Sequence, residues 1–248
     1  MPTAAELEDF EAATDDLKAV MVAALVAHWV ENVPSSPADS ADELREFVLD
    51  LVAEYGQAVA ATAIDFYESV RPGGSPSFRP TPVVRDDLVG TGSLIWATEP
   101  LRTEDWEQSL DRIAAELQKA AMQAAIETLG EATELDPIGE VRYARFPQND
   151  DPCAYCVLRA ARGAVYWSEE TASRGDHLKC QCRITIVFPD EVLPYLRAPY
   201  MAKYLDGASA AEDAVAAIRA DKSLTPAQRR EREFKALLAG MRRANGLR

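Results

Sequence analysis

All four cysteines of this 248-residue chain lie between Cys153 and Cys182, together with one of its two histidines. The spacing is Cys153-x2-Cys156, then twenty residues, then His177-x2-Cys180-x-Cys182. Thiolates and an imidazole at such spacings are typical of small metal sites, and soft sulfur ligands favour Zn²⁺ over hard cations. These five side chains are therefore candidate metal ligands, one more than a tetrahedral zinc site takes.

A structural Zn²⁺ is the favoured interpretation of this pattern. Reduced thiols, disulfides that hold the two segments together and a catalytic site remain as alternatives. A catalytic zinc would need an open coordination position beside a general base, and the sequence contains no HExxH and no HxE before the cysteines. The second histidine, His28, is expected at a helix surface or core edge. We therefore assign no catalytic and no cofactor-binding residue.

Read together with its flanks, the cysteine-containing stretch consists of four parts in a fixed order. They are VRYARF (Val141–Phe146), CAYCVLRAARG (Cys153–Gly163), AVYW (Ala164–Trp167) and HLKCQCRITIVF (His177–Phe188). This order resembles the C-terminal module of the phage minor head proteins related to the F protein of phage Mu (MuF-like). Arg174–Asp176 stands where that family usually has a proline-rich approach to the histidine. The resemblance covers about fifty residues.

The resemblance implies a minor capsid protein of the actinobacteriophage type, located in the virion at the portal vertex or in the head interior. Its expected partners are the portal protein, the major capsid or scaffold protein, and packaged DNA. Its expected role lies in head assembly, DNA packaging or ejection. Because no apolar run is long enough to span a membrane and the start does not resemble a signal peptide, we expect the protein to be made and assembled in the host cytoplasm.

Two enzymes are the competing hypotheses. A capsid maturation protease is the runner-up, because such proteases are often encoded beside the portal. A serine protease needs a base next to its nucleophile, and only His28 and His177 can serve; the sequence has no GxSxG elbow. A His/Cys metal nuclease would need a second histidine or an acidic cluster, and only Asp150, Asp151 and Asp176 are near.

Charge is spread unevenly along the chain. The formal net charge is -15, which opposes non-specific DNA binding by the protein as a whole. Residues 1–70 carry fifteen acidic and two basic side chains, whereas residues 219–248 carry nine basic and three acidic ones. The basic C-terminal helix is therefore the segment expected to face DNA or an acidic protein, and the chain's own acidic N-terminal half is also a candidate partner. We expect no membrane partner, because no apolar run is long enough and the acidic start does not resemble a signal peptide.

Three long helices are predicted from apolar periodicity, over residues 4–32, 40–70 and about 103–132. Pro34–Pro37 separate the first two, which are expected to form an antiparallel hairpin. Ser40 with Glu43 matches a capping box, and the alanines of Ala120–Ala125 are expected to pack against another helix. Residues 71–100 are expected to be irregular because they are rich in proline and glycine.

The rest of the chain predicts an α+β module and helices. We expect strands at Val141–Phe146, Ala164–Trp167 and Arg183–Phe188, and helices at Cys153–Arg162 and Glu169–Ser173. The C-terminal helices are expected at 189–205, 208–220 and from Thr225 onward. Five arginines are expected on the module's surface, where solvation, DNA and an acidic partner are alternatives: Arg142, Arg145, Arg159, Arg162 and Arg183.

The predicted fold class is α+β and mostly α-helical. It combines a long N-terminal helical hairpin, a third long helix, a small Cys/His module and C-terminal helices. The predicted domains are a long-helix interaction region (1–136), the MuF-like module (137–190) and a helical, basic tail (191–248).

Overall fold

The computed structural model describes residues 3–73, 76–147, 152–173, 182–189 and 194–247. Their fold is mostly helical with one small antiparallel sheet, which confirms the predicted fold class. The described residues form two compact units, here called unit 1 (residues 3–140) and unit 2 (residues 141–247). The division falls four residues after the predicted boundary at residue 136, and residues 194–247 belong to the same unit as the cysteine module.

Unit 1 is built from four α-helices and one short 3-10 helix. The helices are α1 (Ala4–Asn32), α2 (Ala41–Val70), α3 (Thr91–Thr98), the 3-10 helix Glu99–Arg102, and α4 (Gln108–Leu135).

Aromatic pairs fix the direction of the first two helices. Phe10, early in α1, stacks on Phe66, late in α2, with ring centroids 4.6 Å apart. His28, late in α1, stacks on Phe47, early in α2, at 3.9 Å. The two helices therefore run antiparallel, as predicted.

Helix α4 completes the core of unit 1 by packing on α2 and α1. Its alanines Ala120, Ala121, Ala124 and Ala125 are all buried, which confirms the packing role predicted for this small-residue segment. Alanine permits two helix axes to approach closely, so the third long helix fits against the hairpin with little side-chain volume between them.

Helix α2 is, among the described residues, the one helix long and apolar enough to pass a length-and-composition test for a membrane span. Leu44, Val48, Val59 and Phe66 are nevertheless buried along it. Because α2 packs on both α4 and α1, it is placed as a core helix.

The capping box predicted for Ser40 and Glu43 is not formed. Ser40 adopts a helical conformation and makes no capping bond; its hydroxyl instead donates to the Pro37 carbonyl at 2.9 Å. Thr3 and Glu6 form the capping box of unit 1, at the start of α1.

Residues 71–100 are not wholly irregular, because α3 begins at Thr91. Gly90 and Gly92 suggested a loop, but Leu94 and Ala97 bury one side of this short helix. The turn that follows delays α4 to Gln108, five residues after the predicted start at Thr103.

A buried ion pair joins the ends of α2 and α4. The Asp136 carboxylate, 4 % exposed, accepts hydrogen bonds from Arg71 (Nε at 2.5 Å, Nη2 at 2.8 Å), from the Tyr67 hydroxyl (2.7 Å) and from the Ile138 amide (2.9 Å). Burial alone would raise the pKa of Asp136, but these hydrogen bonds outweigh burial and lower it to about 2. Burial, and then the bond to Asp136, raise the pKa of Tyr67 far above its usual value.

Unit 2 contains the sheet and the remaining helices. Its elements are β1 (Arg142–Pro147), α5 (Ala154–Ala161), α6 (Glu169–Ser173), β2 (Cys182–Val187), α7 (Pro194–Ala210), α8 (Glu212–Ala220) and α9 (Pro226–Asn245). The strands are antiparallel, in a register that pairs Arg142 with Val187 and Pro147 with Cys182.

The strand predicted at Ala164–Trp167 is reduced to a single bridge between Tyr166 and Tyr143. Val165 and Trp167 on either side of Tyr166 are 47 % and 69 % exposed. The aromatic and β-branched residues that suggested a strand therefore face solvent, without the half-buried surface that stabilises such residues in a sheet.

Helices α5, α7 and α9 share the main core of unit 2. Ala154 and Val157 of α5 meet Leu238 and Met241 of α9, and partly buried tyrosines of α7 pack against this cluster. Thr225 caps α9 in a capping box with Gln228, as the predicted Thr225–Pro226 start requires.

Glycines allow α7 and α9 to touch. A Cβ added at Gly207 would lie 2.2 Å from Met241 Cγ, and one added at Gly240 would lie 2.4 Å from the Gly207 carbonyl oxygen. The two backbones therefore approach too closely for any side chain at the crossing.

Candidate metal centre

Helix α5 positions the first two candidate ligands. Cys153 is the N-cap residue, with an extended backbone, and its Sγ accepts a hydrogen bond from the Cys156 amide at 3.4 Å. Because one turn of helix separates the two residues, Cys156 Sγ lies 3.2 Å from Cys153 Sγ. Cys153 is half-buried, Cys156 is buried, and the two are not joined in a disulfide.

The chemistry of the pair suits a metal. The N-terminus of a helix favours negative charge, and the thiolate is the form of cysteine that binds metal ions. Two sulfurs on a tetrahedral zinc, at Zn–S distances of about 2.3 Å, lie roughly 3.8 Å apart. Cys153 and Cys156 would therefore have to separate by only about half an ångström to serve as two of its ligands.

The sheet sets the position of a third candidate. Cys182 is the first residue of β2, and its backbone pairs with Pro147 at the end of β1. Helix α5 packs against β1, so the strand pairing and the cysteine pair belong to one small substructure. The structure describes the backbone of Cys182 but not its side chain, and His177 and Cys180 lie outside the described residues.

Within the part of the chain that the structure describes, no group of three or more His, Cys, Asp and Glu side chains is placed to hold a metal. Cys153 and Cys156 are the two predicted ligands whose side chains the structure describes, and it places them side by side.

Arg159 braces α5 behind the cysteine pair. Its Nε and Nη2 donate to the Tyr155 hydroxyl at 2.9 and 2.7 Å, and Nη1 donates to the Tyr166 hydroxyl at 3.4 Å. Burial alone would lower the pKa of Arg159, but the bonds to Tyr166 and Tyr155 raise it overall. Tyr166 also bridges to Tyr143 of β1, so this arginine connects the cysteine helix to the sheet.

The other module arginines divide between structural and exposed positions. Arg145 is 1 % exposed, and its Nη1 donates to the Ala172 carbonyl at 2.6 Å, so the expectation of a surface side chain is wrong there. The Arg142 guanidinium lies over the Trp167 ring, and that of the exposed Arg162 lies 5.4 Å from the Tyr166 ring centre. The side chain of Arg183 lies outside the described residues.

Sequence reasoning missed the tyrosines that hold Arg159 and the carbonyl that holds Arg145. A YxxxR spacing, Tyr155 to Arg159, places both side chains on one helix face and is the signal that could have found the first. A backbone carbonyl leaves no such signal.

His28 is a half-buried side chain at the edge of the core of unit 1. Its ring stacks on Phe47, and Asn32 Nδ2 lies 3.3 Å from His28 Nδ1. This confirms the expected structural position of this histidine.

The fold and the site define a predominantly helical α+β protein with a small thiol-bearing module on a two-stranded sheet. Residues 1–207 match the VG15 protein family, so the chain belongs to that family of phage gene products. It is a phage protein of the structural or virion type. No curated protein and no solved structure matches it.

Proposed function

We propose that this chain is a minor head protein of the MuF-like kind, associated with the portal vertex and acting in head assembly, DNA packaging or ejection. The observation that carries the proposal is the match of residues 1–207 to a family of phage gene products. The resemblance of the cysteine module to MuF-like proteins supplies the finer assignment. The long helices of unit 1 suit protein–protein contact with portal, major capsid or scaffold protein, because helix faces pack readily against other helices.

Within this role, unit 2 is proposed to be a rigid module held by a structural Zn²⁺. Cys153 and Cys156 would supply two ligands, and His177, Cys180 and Cys182 are the candidates for the other positions. The bonds from Arg159 to Tyr155 and Tyr166 support this idea, since they fix α5 beside β1 and so hold Cys153 and Cys156 in place. A bound zinc would stabilise the folded form of that substructure and would have no catalytic role.

The basic helix α9 is the proposed contact for packaged DNA. Some of its charges are already paired, such as Lys235 with Glu231 at 2.6 Å. Arg230, Arg232 and Arg242 are exposed along it. Binding through such arginines should weaken steeply as salt rises, because it releases counterions from the phosphates.

Quantitative mass spectrometry of purified proheads and mature virions tests the head assignment. We expect a few intact copies of this chain per portal ring in both particles. Presence in proheads with loss from virions, alongside newly trimmed capsid or scaffold termini, would contradict the proposal and favour the maturation protease.

Metal analysis of the purified full chain tests the zinc. We expect about one zinc per chain, lost in Cys156→Ser together with stability of unit 2, and retained in His28→Ala, whose ring lies in unit 1. A chain without bound zinc that is equally stable with and without a chelator would refute the structural metal.

A further inference from the structure

Helix α1 carries an apolar face that nothing in the described chain covers. Between residues 19 and 30 its inward residues Met21, Leu25 and Trp29 are buried. Its opposite side is exposed and also apolar, and we call it the α1 outer face: Ala19, Val20, Ala23, Val26, Ala27 and Val30. Val20, Val26 and Val30 are 53 %, 40 % and 68 % exposed.

The outer face is a continuous surface. Its members recur at steps of three and four residues, so they align along one side of the helix over about three turns. No charged side chain interrupts residues 19–30. A helix that is apolar all round is ordinarily covered on all sides, and a contiguous apolar patch of this kind marks a binding surface.

We propose that the α1 outer face docks a basic amphipathic helix of another protein of the phage particle. This inference rests on the proposed function for the identity of the particle and adds to it the surface and the charge of the partner.

Charge selects the partner. Residues 1–70 carry fifteen acidic and two basic side chains. Both bases are already used within their own helices, since Lys18 pairs with Asp15 and Arg45 with Asp42. The exposed acids Asp16 and Glu31 lie at the two ends of the outer face. A helix with Lys or Arg beside its apolar stripe is therefore attracted to it.

The same charges exclude two other occupants. The hairpin of a second copy would bring an equally acidic surface against this one, and like charges disfavour that contact. The basic helix α9 of a second copy is not free to dock in its place, because Leu238 and Met241 of its apolar face are buried in the core of unit 2. An anionic membrane surface is repelled by the same acids, because helices that bind such surfaces carry lysine and arginine on their polar face.

The side chains suit a helix as the occupant. Ala19, Ala23 and Ala27 leave room for a neighbouring helix to approach closely, while the three valines provide apolar contact. Three turns of helix offer much less than the roughly 800 Å² per partner of a standard interface. One such contact is weak, and several copies in one particle would bind with the added strength of multivalency.

Site-specific photo-crosslinking in the phage that encodes the chain tests the proposal. Ala23, at the centre of the outer face, is replaced by p-benzoylphenylalanine, and Ala61, an exposed alanine of α2, is the matched control. We expect Ala23 to capture one helical segment of another virion protein, with net positive charge, and Ala61 not to capture that segment. Crosslinks from Ala23 to a second copy, to lipid or to a segment without positive charge would overturn the proposal, as would no product above the control.

A charge-reversal variant tests the choice of partner. Asp16→Lys with Glu31→Lys changes the two ends of the outer face at exposed positions and leaves its apolar residues intact. We expect an unchanged thermal unfolding midpoint and roughly a tenfold lower crosslink yield at Ala23, as for loss of electrostatic complementarity. An unchanged yield would refute a basic partner.

The outcome is separable from that of the head assignment. If the chain is present in purified particles but Ala23 captures nothing, the docking surface is wrong and the minor head role stands. If the chain is absent from particles, the head role fails. Crosslinking before particle purification then decides whether the outer face binds a basic helix at all.

Discussion

Replacing Asp136 by Asn should weaken unit 1 through a single buried carboxylate. Its two oxygens accept four hydrogen bonds, two from Arg71, one from Tyr67 and one from the Ile138 amide. An asparagine keeps one acceptor oxygen and turns an amide group toward groups that are themselves donors. Arg71 would then lie largely buried beside a neutral side chain, and breaking one partner of a buried pair is costly.

The pKa of Asp136 sets the magnitude. Hydrogen bonding overcomes burial and lowers this pKa from 3.8 to about 2. At about 1.4 kcal/mol per pKa unit, that difference corresponds to roughly 2.5 kcal/mol of folding free energy. Because the folded pKa is lowered, this stability is fully present above about pH 4 and is lost as the pH falls through about 2.

Urea denaturation followed by tryptophan fluorescence measures the effect. Trp29, Trp96 and Trp106 lie in unit 1, so the signal reports mainly on that unit. We expect Asp136→Asn to lower the free energy of unfolding by roughly 2.5 kcal/mol near pH 7, and by less than about 1 kcal/mol near pH 2.

Asp50→Asn is the matched control, because Asp50 is an exposed carboxylate of α2. Its replacement should change the free energy of unfolding by less than about 0.5 kcal/mol at either pH. A cost for Asp136→Asn as small as that of this control near pH 7 would show that the ion pair does not stabilise unit 1. An equal loss at both pH values would show that the stabilisation does not depend on the charge of Asp136.

Two further changes test the C-terminal helices. Gly240→Ala would place a Cβ 2.4 Å from the Gly207 carbonyl oxygen. Overpacking should lower the stability of α7 and α9 by roughly 1–3 kcal/mol, so their amide hydrogens should exchange faster. Gly92→Ala is the control: a Cβ there meets nothing within 4 Å, and exchange should not change. Thr225→Ala removes the hydroxyl that accepts from the Gln228 amide at 3.3 Å and should cost about 1 kcal/mol. Equal hydrogen exchange at the start of α9 in wild type and Thr225→Ala would contradict a stabilising role of this cap.

Periodic apolar residues made the long helices predictable. Leu7, Phe10, Met21 and Leu25 recur at helical steps and all of them are buried in α1. Local polar signals were less reliable. Ser40 has the sequence of a capping box, but the preceding turn already closes through hydrogen bonds and leaves its hydroxyl bonded to Pro37.

Short elements were harder because tertiary contacts decide them. The Gly90–Gly92 pair suggests a loop, but burial of Leu94 and Leu101 stabilises helical structure there. Gly207 and Gly240 lower helix propensity and look unfavourable in sequence, although the structure needs them where two backbones touch.

The spacing of the cysteines predicted that two of their sulfurs lie close together. Only two residues separate Cys153 from Cys156, so a single turn brings their sulfurs close together. In the structure the two Sγ atoms lie 3.2 Å apart. Buried Arg145 was not predictable in this way, because its partner is the carbonyl of Ala172, 27 residues away, and any residue type could supply that group.

Helix α1 shows what periodicity alone leaves unexplained. The apolar stripe that predicted α1 includes Leu25 and Trp29, and both residues are buried in the core. Val26 and Val30 then look like ordinary helix residues, although they lie on the opposite side and face solvent. Folding of unit 1 uses only the first set. The second set adds apolar surface that folding does not bury, and an exposed apolar patch of this kind is accounted for by the binding of another protein, as proposed above.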